Sequence, residues 1–186
     1  MSETVHYNTG RRKGELRKLR WSHIDRENIF IRLPAALTKE RKQKNIPINR
    51  HVKKVFNTLP HALRHDFVFT FQGEPITHKD SLKKSFQTAC EKAGIPYGQK
   101  TPNGIVFKDI RRAVKTGMVE AGIDKVYRDT ILGHSLKGMD IHYIVPSEES
   151  LKQAMDRYTQ WLDKRVEDTL ANVDQNVDQT LKIEIH

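Results

Sequence analysis

The chain holds a single cysteine, Cys90, among 186 residues. A lone thiol excludes an internal disulfide framework and every metal motif built on cysteine pairs, and a reducing, cytoplasmic setting is the default expectation. No run approaches the ~18 consecutive apolar residues of a membrane-spanning helix, and the opening residues lack the apolar core of a signal peptide. Glycine-rich nucleotide motifs and carboxylate clusters are missing as well, so neither a nucleotide nor a metal is expected as cofactor. Aromatic residues make up only 8% and hydrophobic residues 37%. That is modest, yet enough for a core, which argues against wholesale disorder. The length suits one domain with a tail.

What is abundant is positive charge, +10 overall. It is unevenly spread: residues 1–145 carry 28 Lys+Arg against 14 Asp+Glu, and residues 146–186 carry 5 against 9. A basic body is the electrostatic footprint of a nucleic-acid binder. It is equally that of a merely solubilising surface, and charge alone does not separate the two. No basic helix with a broad apolar face points to a membrane surface.

Apolar spacing predicts a mostly helical α+β fold with a small antiparallel sheet. Thr9-Gly10 is expected to open a short helix burying Leu16 and Leu19. Ile29–Leu33 and Asn45–Ile48 read as strands, with the polar stretch Thr38–Lys44 as the tip of the hairpin between them. Val52, Val55, Phe56 and Leu59 form a short helix stopped by Pro60. Phe67–Phe69 is a strand candidate, followed by a turn at Gly73-Glu74-Pro75. Three more helices follow: one through Leu82, Phe86 and Cys90, one over Asp109–Ala121 closed by Gly122, and one ending at Leu132-Gly133. Leu151, Ala154, Met155, Tyr158 and Leu162 mark a last amphipathic helix. We therefore expect a domain over 1–165 and a tail over 166–186.

Four motifs stand in order. Thr9-Gly10-Arg11-Arg12-Lys13-Gly14-Glu15-Leu16 comes first, then Lys39 at the hairpin, then Lys108-Asp109-Ile110-Arg111, then Leu132-Gly133-His134 with Tyr143 nine residues on. Lys108 and Arg111, three apart, share a helical face. The set resembles the catalytic domain of the tyrosine recombinase (phage integrase) family, over roughly residues 8–165. The resemblance implies a site of Arg12, Lys39, Lys108, Arg111, His134 and Tyr143, supported by Glu15 and Asp109. It also implies double-stranded DNA as substrate, a homotetramer on that DNA, a phage or mobile element of bacterial, nucleoid-associated setting, and site-specific integration or recombination through a 3′-phosphotyrosyl intermediate.

The chemistry asks for such residues. Attack of a side-chain oxygen on a phosphodiester builds negative charge on a five-coordinate phosphorus, which planar guanidinium groups meet with paired hydrogen bonds. Arg12 and Arg111 suit that clamp, and by resemblance Lys39 protonates the leaving sugar oxygen. A phenol with an ordinary pKa of ~10 is a weak nucleophile until cations favour its phenolate. Each residue also has a plainer role open to it. Tyrosines are more often half-buried aromatics than nucleophiles, and Tyr158 fits core packing. Lys39 shares its turn with Arg41, Lys42 and Lys44, a run that could simply be solvated. Arg11 rivals Arg12, but the family's spacing between its arginine and glutamate, which the resemblance carries onto Glu15, implies Arg12. Glu15 and Asp109 are expected to buttress arginines or cap helices. His61 and His65 lack a third ligand and read as core or surface histidines.

Two departures from the family pattern bear on activity. Lys108 stands where most members have histidine, which points to phosphate stabilisation or proton relay. The Thr9-Gly10 motif lies close to Met1, without the one or two preceding helices or the separate core-binding domain usual in the family. A fragment or shortened relative with a partly open core and weakened DNA affinity is therefore expected. In the tail Val166, Leu170, Val173 and Val177 step by helical intervals, a stripe for packing onto a neighbouring protomer or for a fraying helix. An inactive DNA-binding relative and a type IB topoisomerase-like enzyme are the alternatives, with a metal-dependent nuclease more distant.

Overall fold

The computed structural model describes residues 1–134 and 145–183, with side chains through residue 171. Helix α1 (Ser2–Thr9) ends at Gly10, whose φ of 62° is a left-handed conformation open to glycine. A Cβ there would overlap Leu132 and Val114. Gly10 thus ends the helix and lets the chain pass against two later elements. The helical turn placed at Thr9-Gly10 starts instead at Lys13, as α2 (Lys13–Arg17). Val5 of α1 is fully buried, and α1 packs on α3 (Arg50–Thr58) and α5 (Phe107–Glu120). Helix α1 thus precedes the Thr9-Gly10 turn.

The sheet is a meander of β1 (Ile24–Asp25), β2 (Phe30–Leu33) and β3 (Lys44–Pro47), all antiparallel. Phe30 pairs with Pro47, Ile31 with Ile46 and Leu33 with Lys44. Successive strand residues face opposite sides. Phe30 and Ile31 are both fully buried, so protein covers both faces of β2. Asn49 caps α3 by accepting from the Val52 amide at 3.0 Å, and its amide donates to Asn8 and Thr159. One side chain thereby ties three helices together.

The segment Phe67–Phe69 joins no named strand, and the chain bends at Val68 and Phe69. It is tethered by a bridge from Phe67 to Arg20, while a two-residue hairpin joins β4 (Thr70–Phe71) to β5 (Glu74–Pro75). Its turn is Gln72-Gly73, both at positive φ, one residue before the expected position. Helices α4 (Ser81–Lys92), α5 and α6 (Lys125–Leu132) lie close to the expected spans. Helix α7 (Glu148–Ile183) is far longer than expected and runs unbroken through residue 165. Its Tyr158 is fully buried and donates to the Tyr7 carbonyl at 3.0 Å, the packing role read for it. No helix among the described residues is long and apolar enough to cross a membrane.

Candidate active site

The Gly10 turn sends two adjacent arginines in different directions. Arg11 is buried, donating to the Thr9 and Ile131 carbonyls, with Glu15 3.7 Å from its guanidinium. Burial pulls its pKa down to about 10 despite Glu15. Arg12 caps α2 and stays partly open to solvent. Its fork holds Glu40 at 2.9 and 2.5 Å, and Glu15 lies 3.3 Å away. Glu15 also accepts from the Arg12 amide at 3.1 Å and from Lys44 at 2.6 Å. Burial alone would raise its pKa; Arg11, Lys44 and the Arg12 amide hold it below the usual carboxylate range. Glu15 is thus the buttress that its spacing from Arg12 suggested.

The opposite wall belongs to α5 and α6. Asp109 accepts from the Val106 amide and from Arg112, both at 2.9 Å, and so caps α5 rather than bracing Arg111. Arg111 donates to the Gly10 and Leu132 carbonyls, joining the first motif to the last. Burial, then Arg12, lowers its pKa, while Glu15 and Glu40 push back. His134 follows the left-handed Gly133 and faces Asp129 through Nδ1 at 3.2 Å. A carboxylate can only accept, so Nδ1 carries the proton and Nε2 is left for a ligand. Burial lowers the His134 pKa, Asp129 opposes it, and Arg111 lowers it further.

Arg12, Lys108 and Arg111 line one cleft of about 570 Å³, with His6, Tyr97, Phe107, Lys13 and Lys83 also in its lining. Three of the six expected site residues therefore share a cavity, and Arg111 links the His134 turn to it. Lys39 does not join them: it is exposed at the hairpin tip, with no side-chain hydrogen bond among the described residues. Tyr143 lies outside the described residues. His61 stacks on Trp21 and His65 meets the Gly73 carbonyl. Among the described residues no group of three or more His, Cys, Asp or Glu could hold a metal ion.

A family profile described as the phage integrase family matches residues 4–150. The chain belongs to the phage integrase family. Its fold is similar to the integrase from mycobacterium phage Brujita (18% identity, TM-score 0.64, 84% of this chain and 50% of that one). It is also similar to the Tn1549 transposon integrase, residues 82–397, solved in complex with transposon right end DNA (22% identity, TM-score 0.58, 84% and 57%). No curated protein matches. The chain spans about half the length of the integrases it matches.

Two polar residues of this phage integrase family domain escaped the sequence reading, Glu40 and Asp129, and Lys44, grouped there with a solvated run beside Lys39, is instead buried in β3. Lys44 had a signal. Strand alternation from the buried Ile46 places it on the inward face, where a lysine needs carboxylate partners. Asp129 and His134 are five apart on a helix that ends between them, a contact that periodicity does not announce.

Proposed function

We propose that the chain is the catalytic domain of a site-specific DNA recombinase. Arg12 and Arg111 clamp the scissile phosphate, Lys108 adds charge to the cleft, and His134, taken to imidazolium by the phosphate anion and Asp129, donates from Nε2–H to a phosphate oxygen. Tyr143, its phenol proton lost to water under the pull of the surrounding cations, attacks phosphorus as the phenolate, the bond to the 5′ oxygen breaks, and Lys39 gives that oxygen its proton. The resulting 3′-phosphotyrosyl joint keeps the bond energy until a 5′ hydroxyl of a partner strand resolves it. One observation carries the proposal: guanidinium groups from α2 and α5 line the same basic cleft, with Arg111 bonded to the carbonyl just before Gly133-His134. The Tn1549 integrase solved on DNA supports duplex DNA as the substrate class. Val166 and Leu170, exposed on α7 beyond residue 165, suit the contact with a neighbouring protomer that a tetramer on DNA would use.

A nicked duplex that traps the covalent intermediate tests the chemistry. Wild type is expected to give a detergent-resistant protein–DNA adduct in the presence of chelator, and Tyr143→Phe none. Equal adduct yields would remove Tyr143 as nucleophile. Salt-dependent binding without any adduct would identify an inactive DNA-binding relative. Relaxation of supercoils by monomers, without paired sites, would identify a topoisomerase-like enzyme.

A further inference from the structure

Glu40 sits at a hairpin tip, yet its carboxylate is held by three N–H donors. Arg12 Nη1 lies at 2.9 Å, Arg12 Nη2 at 2.5 Å and Lys44 Nζ at 2.8 Å. A planar fork with an ammonium beside it equally fits two oxygens of a phosphate group. We propose that Glu40 occupies the seat of the substrate phosphate, and that Lys44 joins Arg12 as a phosphate ligand once Glu40 leaves. The identity of that anion as a phosphodiester rests on the strand-transfer function proposed above; the seat itself rests on the side chains.

The local charge balance favours replacement over an empty seat. Arg11, Arg12 and Lys44 face Glu15 and Glu40, an excess of one positive charge. Without Glu40 the excess is two, in a largely buried setting where uncompensated charge is costly. A phosphodiester, with one negative charge, restores the present balance.

The two partners differ in their freedom to move. Lys44 is buried, fixed to Glu15 at 2.6 Å, and its stem passes beneath Gly133, where a Cβ would overlap it. Lys44 is a preset ligand. Glu40 lies between exposed Lys39 and exposed Arg41, and Arg41 has a φ of 51°. A left-handed arginine stores strain that a different tip conformation releases. Lys39 directly precedes Glu40, so the movement that frees the seat also shifts the proposed proton donor.

Inorganic phosphate titrated into the full chain at low ionic strength, followed by calorimetry, reads the seat directly. Glu40→Gln keeps the shape, removes the charge, and is expected to bind phosphate about tenfold more tightly than wild type. A structural role in holding Arg12 predicts the opposite sign, and unchanged or weaker binding overturns the proposal. Reductive methylation read by mass spectrometry tests Lys44 without substituting it. Labelling of Lys44 should be slow in wild type, several-fold faster in Glu40→Gln, and slow again with phosphate. Failure of phosphate to protect it removes Lys44 from the seat. Neither experiment requires cleavage. Tight phosphate binding by Glu40→Gln with no wild-type adduct would leave the seat and refute strand transfer; adduct formation with unchanged phosphate affinity would do the reverse.

Discussion

The two walls of the cleft hold their arginines by different means. Arg111 is fixed by neutral carbonyls of Gly10 and Leu132, so it is oriented while keeping its whole charge for a ligand. Arg12 is fixed by carboxylates, Glu40 and Glu15, which orient it and cancel its charge together. Carbonyl anchoring prepares a site in advance. Carboxylate anchoring makes occupancy a competition between the internal anion and the arriving one. One wall is preset, and the other must exchange partners.

The largest effect expected from breaking this contrast lies at the exchanging wall. Lys39→Ala should slow adduct formation by about 10²–10⁴-fold, the usual worth of a positioned acid. Its exposure predicts a stability change of no more than about 0.5 kcal/mol. An unaltered rate on the nicked duplex would pass the proton-donor role to another cation of the cleft.

On the preset wall, Arg111→Lys removes the fork that reaches both carbonyls. Adduct formation should drop by about 10²–10³-fold, the cost of losing one preorganised donor. The melting temperature should fall as well, because one ammonium cannot span both turns. A variant that melts normally and cuts normally would show that the carbonyl anchors do not set the wall.

A smaller effect comes from acid acting on His6, which lines the cleft beside the preset wall. His6 stacks on Phe107 at 4.4 Å between ring centroids, and its Nε2–H donates to the Phe107 carbonyl at 3.1 Å. Burial presses its pKa down to about 4. An unfolded histidine takes up its proton near pH 6.5, whereas the folded one resists until about pH 4. The stabilisation is therefore complete above pH 6.5 and lost as pH falls toward 4, by about 3 kcal/mol in all. Urea melts across that range should show the loss, and His6→Gln should flatten it. An identical slope in the variant would clear His6 of the effect.

Legibility in the sequence followed the range of the forces involved. Helices α3 to α6 could be placed because their apolar faces repeat locally, as with Val52 and Phe56 or Val114 and Met118. Phe67–Phe69 misled because its burial reflects contacts with Leu19–Trp21 rather than membership of a sheet: Val68 donates to the Leu19 carbonyl. Helix α7 was underestimated because the four-residue stripe from Val166 to Val177 lies on an otherwise polar segment that a fraying helix fits equally well. At the site, Arg12 was distinguishable from Arg11 only through its spacing to Glu15. In the fold Arg11 is buried and donates to the Ile131 carbonyl, whereas Arg12 lines the cleft.

Residue order alone supplied the candidates for the proposed chemistry: two arginines, two lysines, a histidine and a tyrosine in motifs that resemble those of one family. It also determined helices α3 to α6, since periodicity acts within a few turns of chain. Only the tertiary structure decided which charges cancel. Glu40 and Lys44 meet Arg12 and Glu15 across about thirty positions of sequence, and Arg111 meets Gly10 across a hundred and one. Such pairings follow from how a hairpin and three helices pack, and the Coulomb energy of a half-buried pair depends on that packing rather than on proximity along the chain.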